Sequence, residues 1–145
     1  GGQNLLISFE DILSKLSLDE IKLLKETKVK IKVPEEFRKS KLNSSFIESS
    51  LFSSNTNPNL VRYRHDIIQQ RENLNKNYLK ALEKFEDLIN LEKSCLIKYF
   101  NMRDDQILLV DNSRWLHGRT KILDLNRHFV RVRFNDNDDL INRNW

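Results

Sequence analysis

Six residues, Lys28-Val29-Lys30-Ile31-Lys32-Val33, alternate strictly between lysine and a β-branched apolar residue, and Pro34 stops them. Successive side chains of a strand point to opposite faces, so this segment predicts a strand with one basic, wet face and one buried face. A helix would spread the same apolar residues around its circumference and bury none of them efficiently. The chain therefore needs a sheet with one covered side.

Around that strand the pattern changes element by element. Residues 3–7 read as a short strand, and Ser8-Phe9-Glu10-Asp11 opens a helix to about Leu16, with Ser8 as its cap and two acids in its first turn. Ser17-Leu18-Asp19-Glu20 is a capping box, and Leu18, Ile21 and Leu24 follow at helical spacing, which predicts a second helix to about Thr27. Residues 35–59 are rich in Ser and Asn and read as a long surface loop, a candidate lid, with a partly helical segment as the alternative. Leu60–Arg64 is strand-like. From Asp66 the positions Leu74, Tyr78, Leu82, Phe85 and Leu88 predict the longest helix, with His65-Asp66 as its turn and cap and a break near Asn90. Two apolar strands are expected at about 94–100 and 106–110, separated by the polar turn Asn101–Asp105. A last alternating strand spans His128–Phe134, and the Asn-rich, acidic tail from Asn135 is expected to fray. The order predicts an α+β or mainly β architecture with peripheral helices.

Composition narrows the function classes. The longest pure apolar run, Ile107–Val110, is far short of the about 18 residues that span a bilayer, which argues against a helical membrane protein. One cysteine forms no internal disulfide and no Cys-rich zinc site, so a cytoplasmic protein held together by packing is expected. Cys95 sits in an apolar stretch and reads as an inert core thiol. The 25 Lys and Arg against 21 Asp and Glu give +4, mixed in sign along the chain. A nucleic-acid surface built on Lys28, Lys30 and Lys32 is therefore disfavoured. Gly1-Gly2 opens the chain and the sole methionine is Met102, so these 145 residues are expected to be a piece of something longer.

The densest chemistry is Ile107-Leu-Leu-Val-Asp-Asn-Ser-Arg-Trp-Leu-His-Gly-Arg-Thr120, followed by Arg127-His-Phe-Val-Arg131-Val-Arg133. It predicts a buried strand, an Asp-Asn turn, a histidine on the next strand, and a last strand with Arg127, Phe129, Arg131 and Arg133 on one face. Three guanidiniums on one face repel each other unless an anion offsets them or water screens them.

This stretch resembles the C-terminal part of the iron(II) and 2-oxoglutarate dependent oxygenases of the taurine dioxygenase and clavaminate synthase type. Gly1-Gly2-Gln3-Asn4 is similar to the family's Gly-Gly-x-Thr segment, and Val61-Arg62-Tyr63 to its Arg-aromatic strand, so the likeness spans nearly the whole chain in the family's order. The resemblance implies a double-stranded β-helix, or jelly roll, of which residues 1–145 are the C-terminal portion. It implies iron held by two His and one carboxylate, a triad that leaves coordination positions for 2-oxoglutarate and dioxygen. It makes His117 the distal iron ligand and Arg127 the clamp on the far carboxylate of 2-oxoglutarate. Arg131 would reach the substrate or support that carboxylate, and Asn4 stands where the family usually has a Thr that bonds it. A lone His at a strand end is ordinarily a packing residue; here the surrounding motif favours a ligand. The family's His-x-Asp/Glu pair lies upstream of its Gly-Gly segment, and none of His65, His117 and His128 supplies it. The expectation is an oxygenase acting on a small amino-acid-like or anionic substrate, needing an upstream segment to complete its site. The alternative is an inactive jelly-roll fragment serving as a binding or assembly module.

Overall fold

The structure, a computed structural model, describes residues 2–33, 45–53, 60–123, 130 and 132. Asn4–Ser8 forms β1 at the centre of a three-stranded antiparallel sheet, between β4 (Lys98–Phe100) and β5 (Trp115–Arg119). Alternation does the sorting here: Leu5 and Ile7 of β1 point into the core, 6% and 5% exposed, while Asn4, Leu6 and Ser8 point to the other face.

Two helices follow β1. The first, α1 (Phe9–Leu13), buries Phe9 and Ile12; Ser8 precedes it but makes no side-chain cap, and the helix ends earlier than the sequence predicts. The second, α2 (Leu18–Glu26), has the expected capping box: Ser17 Oγ accepts from the Glu20 amide at 3.2 Å, and Glu20 Oε2 accepts from the Ser17 amide at 2.7 Å. Glu20 also pairs with Lys84 at 2.7 Å, and that contact first, then the cap, holds its carboxyl below the usual range.

The alternating lysine segment is β2 (Val29–Lys32), with Val29 and Ile31 buried. It pairs antiparallel with β3 (Phe46–Ser49), in the register Lys30 opposite Glu48 and Ile31 opposite Ile47. This corrects part of the loop expected over 35–59. A charge-matched cross-strand pair and the Lys30 ammonium 4.7 Å from the Phe46 ring give the short apolar stretch a place in a sheet. Of the rest of the candidate lid, Ser45 and residues 50–53 are described, with Leu51, Phe52 and Ser53 buried, and the others lie outside the described residues.

The expected long helix begins at Lys76, almost three turns later than Asp66. Residues 67–69 instead run along the free edge of β2, where the Lys32 amide donates to Ile67 O at 2.8 Å and the Gln69 amide to Lys30 O at 3.0 Å. Asp66 is engaged by Arg64 through two bonds of 2.6 and 2.8 Å, which bring its carboxyl down to about 2, so it caps no helix. Helix α3 (Lys76–Ile89) starts where Asn75 Oδ1 accepts from the Asn77 amide at 2.8 Å. Its buried stripe is Tyr78, Ala81, Leu82 and Phe85. An aromatic chain joins it to the sheet side: Phe9 meets Phe52 edge-on with centroids 4.7 Å apart, Phe52 meets Phe85 at 5.4 Å, and Tyr63 meets Phe85 at 4.9 Å.

Three further expectations are corrected. Leu60–Arg64 is no strand; Val61 makes an isolated bridge with Phe52, and its amide donates to Ser113 O at 2.9 Å. Residues 106–110 form no strand and are not buried, with Ile107 87% and Leu109 74% exposed. Four consecutive apolar residues carry no periodicity, and burial requires a neighbouring layer that the described residues do not place over them. Cys95 is exposed, in a bend before the short β4, rather than a core thiol. The strand expected over 128–134 lies outside the described residues, apart from Val130 and Val132, which are exposed. Thus the described fold is two small antiparallel sheets with helices packed against them. Among the described residues no helix is long and apolar enough to cross a membrane.

Candidate functional site

The ends of the chain's two motif segments meet on the central sheet. Across the β1–β5 pair, Asn4 is opposite Arg119, Leu6 opposite His117 and Ser8 opposite Trp115. Directly opposed residues of an antiparallel pair share a face, and so do alternate residues of one strand. Asn4, Leu6, His117 and Arg119 therefore project together from the face opposite Leu5 and Ile7. Across β4, Phe100 and Lys98 stand opposite Asn4 and Leu6, on the same outer face.

Two backbone contacts lock the motifs at their edge. The Gln3 amide donates to Thr120 Oγ1 at 2.9 Å, and the Thr120 amide returns a bond to Gln3 O at 3.0 Å. The Gly-Gly-Gln-Asn and His-Gly-Arg-Thr segments thus run side by side although 117 residues separate Gln3 from Thr120. Gly118 stands opposite Leu5, and a Cβ added there would meet the Leu5 side chain at an ordinary contact distance of 3.5 Å.

His117 is exposed, and its Nε2 lies 2.8 Å from Asn112 Oδ1. The Asp-Asn turn makes this contact. Asp111 Oδ1 accepts from the Ser113 amide at 3.0 Å and Asp111 O accepts from the Trp115 amide at 3.0 Å, folding the chain back so that Asn112 reaches the ring five residues on. This contact is a hydrogen bond in the forms of the ring that carry a proton on Nε2.

Asn4 is 8% exposed. Its Oδ1 accepts from Arg119 Nη2 at 3.2 Å, whereas its Nδ2 is buried with no hydrogen-bond partner among the described residues. An unmet buried donor costs about 1–3 kcal/mol, and a carboxylate oxygen is the acceptor that relieves it best. Arg119 and Lys98 also belong to this face, Lys98 with its Nζ 5.7 Å from the Trp115 ring and 4.0 Å from the Asp11 carboxylate.

An iron centre is a different matter. Among the described residues no three His, Cys, Asp or Glu side chains cluster closely enough to hold a metal ion. A single imidazole does not fit an iron site by itself, whereas the Asn4 donor fits a carboxylate. Arg127 and Arg131, the expected carboxylate clamp and its neighbour, lie outside the described residues, as does His128.

Sequence reasoning assigned no role to Arg119, Asn112 or Lys98. The signal for Arg119 was present, because it stands two residues beyond His117 and a strand puts both on one face. Asn112 was visible only as a turn residue; its contact with His117 depends on how tightly that turn closes. Compared with models of protein families and with curated proteins, the chain matches none.

Proposed function

We propose that the chain is the C-terminal portion of an iron(II) and 2-oxoglutarate dependent oxygenase of the jelly-roll type, acting on a small amino-acid-like or anionic substrate. The observation that carries this reading is the pairing of β1 with β5. Two segments singled out separately for their likeness to one family lie hydrogen-bonded side by side, with Asn4, His117 and Arg119 on one face.

On this reading the outer face is the side that holds the 2-oxoglutarate carboxylate. Asn4 Nδ2 would donate to an oxygen of it, and the resemblance gives Arg127 the role of its second partner. His117 would contribute one imidazole to a metal site completed by ligands from an upstream segment. The 145 residues alone are expected to bind iron very weakly and to turn nothing over. Membrane and nucleic acid have no part in this reading, and the cytoplasm suits its reduced iron.

The test is conversion of 2-oxoglutarate to succinate by the complete protein, upstream segment included, supplied with iron(II) and dioxygen. His117→Ala abolishes succinate formation if the reading holds; undiminished turnover in that variant removes it. A second reading, an inactive jelly-roll module that binds without turnover, draws on the single imidazole. Absence of a His-x-Asp/Glu pair from the complete protein would favour it.

A further inference from the structure

Arg119 has no role in the resemblance, yet the structure gives it a specific contact. Its Nη2 donates to Asn4 Oδ1 at 3.2 Å, across 115 residues of sequence. A guanidinium has donors and no acceptor, so the amide atom it meets has to be the oxygen. That contact determines which way the Asn4 amide is turned, a choice an isolated Asn side chain leaves open. The other end, Nδ2, becomes the donor, and it is the one buried without a partner among the described residues.

We propose that Arg119 is a positioning residue for carboxylate binding: by holding Asn4 Oδ1 it commits Nδ2 to donate to a ligand carboxylate beside His117. The inference rests on the functional reading above and deepens it. A hydroxyl can rotate its proton toward any acceptor, but an amide turned the wrong way presents its oxygen to the carboxylate and repels it. A threonine at this position needs no partner to choose its orientation; an asparagine does. Arg119 supplies that choice. Lysine is also a donor without an acceptor, so Arg119→Lys keeps the amide orientation, whereas Arg119→Ala releases it.

The experiment titrates the complete protein with 2-oxoglutarate, and separately with succinate and acetate, following the Asn4 side-chain NH2 resonances by NMR and the affinity by calorimetry. In the unsubstituted protein 2-oxoglutarate shifts those resonances. Arg119→Ala weakens binding about tenfold, the size of one lost hydrogen bond to a charged group, and Arg119→Lys restores most of it. Asn4→Ala weakens binding similarly, and adding Arg119→Ala to it costs little more, because the arginine acts through the asparagine. Equal losses for Arg119→Ala with and without Asn4 overturn the positioning role and make Arg119 a direct charge contact. Failure of Arg119→Lys to restore binding overturns it too. If succinate or acetate moves the Asn4 resonances in this pattern and 2-oxoglutarate does not, the role of Arg119 stands and the oxygenase reading falls. If no carboxylate moves them in the unsubstituted protein, the role of Arg119 falls.

Discussion

The two faces of the β1–β5 pair are built from alternate residues of the same strands, and they are put to opposite uses. Leu5 and Ile7 face the layer that contains Phe9, Ile12, Phe52 and Phe85, and are almost fully buried. One residue away, Asn4, His117 and Arg119 face outward with polar contacts among themselves and their turns. A sheet covered on one side separates stability from chemistry by a single step along the chain. Substitutions on the inner side should therefore unfold the protein, and those on the outer side should spare the fold while removing any ligand.

The largest effect is expected beneath the inner face. Phe85 is fully buried between Phe52 and Tyr63, and Phe85→Ala should lower stability by about 3–5 kcal/mol in urea unfolding. A loss under about 1 kcal/mol would mean that the aromatic chain is not the core of this sheet.

Next comes the polar cluster beside Phe85 on α3. Glu86 accepts from Tyr63 Oη at 2.7 Å and from Arg71 Nη1 at 3.0 Å. Burial favours its neutral form, but the two donors outweigh burial and hold the carboxyl below its ordinary value of 4.5. The stability this adds is complete above pH 4.5 and is lost as the pH falls through the lowered value. Glu86→Gln should cost about 1–3 kcal/mol at pH 7 and flatten the acid side of the stability profile. An unchanged profile would show that the cluster contributes no charge-dependent stability. Ser17→Ala, which removes the cap of α2, should cost about 1 kcal/mol.

The smallest effect sharpens the comparison most. His117→Ala on the outer face and Ile107→Ser on the exposed stretch should each change stability by no more than about 0.5 kcal/mol. A cost above about 2 kcal/mol for His117→Ala would make the histidine a packing residue and erase the distinction between the faces.

Local rules were legible in the sequence wherever local chemistry decides. The capping box at Ser17 and the alternation of Lys28–Val33 needed no tertiary information, and both stand at the expected positions. The strand over residues 3–7 was similarly readable from its apolar run, and stands at Asn4–Ser8. Long-range partners were not legible. Nothing local marks Phe46–Ser49 as the mate of β2, or Ile67 and Ile68 as edge residues rather than the first turn of a helix; both follow from the unpaired backbone that β2 presents. The run Ile107–Val110 is the converse case. Its composition suggests burial, but composition cannot supply the layer that would bury it. In the site, the residue types were readable while the contacts were not: Arg119 on Asn4 and Asn112 on His117 depend on register and turn closure.

The claim that the outer face is the ligand side is tested most directly by methyl NMR of the complete protein during a 2-oxoglutarate titration. Leu6 stands opposite His117 on the outer face, while Leu5 and Ile7 sit on the inner one. The account predicts that the Leu6 methyl signals shift and saturate with the ligand while those of Leu5 and Ile7 hold nearly still. Shifts confined to Leu5 and Ile7, or no shift at Leu6 at saturating ligand, would contradict it.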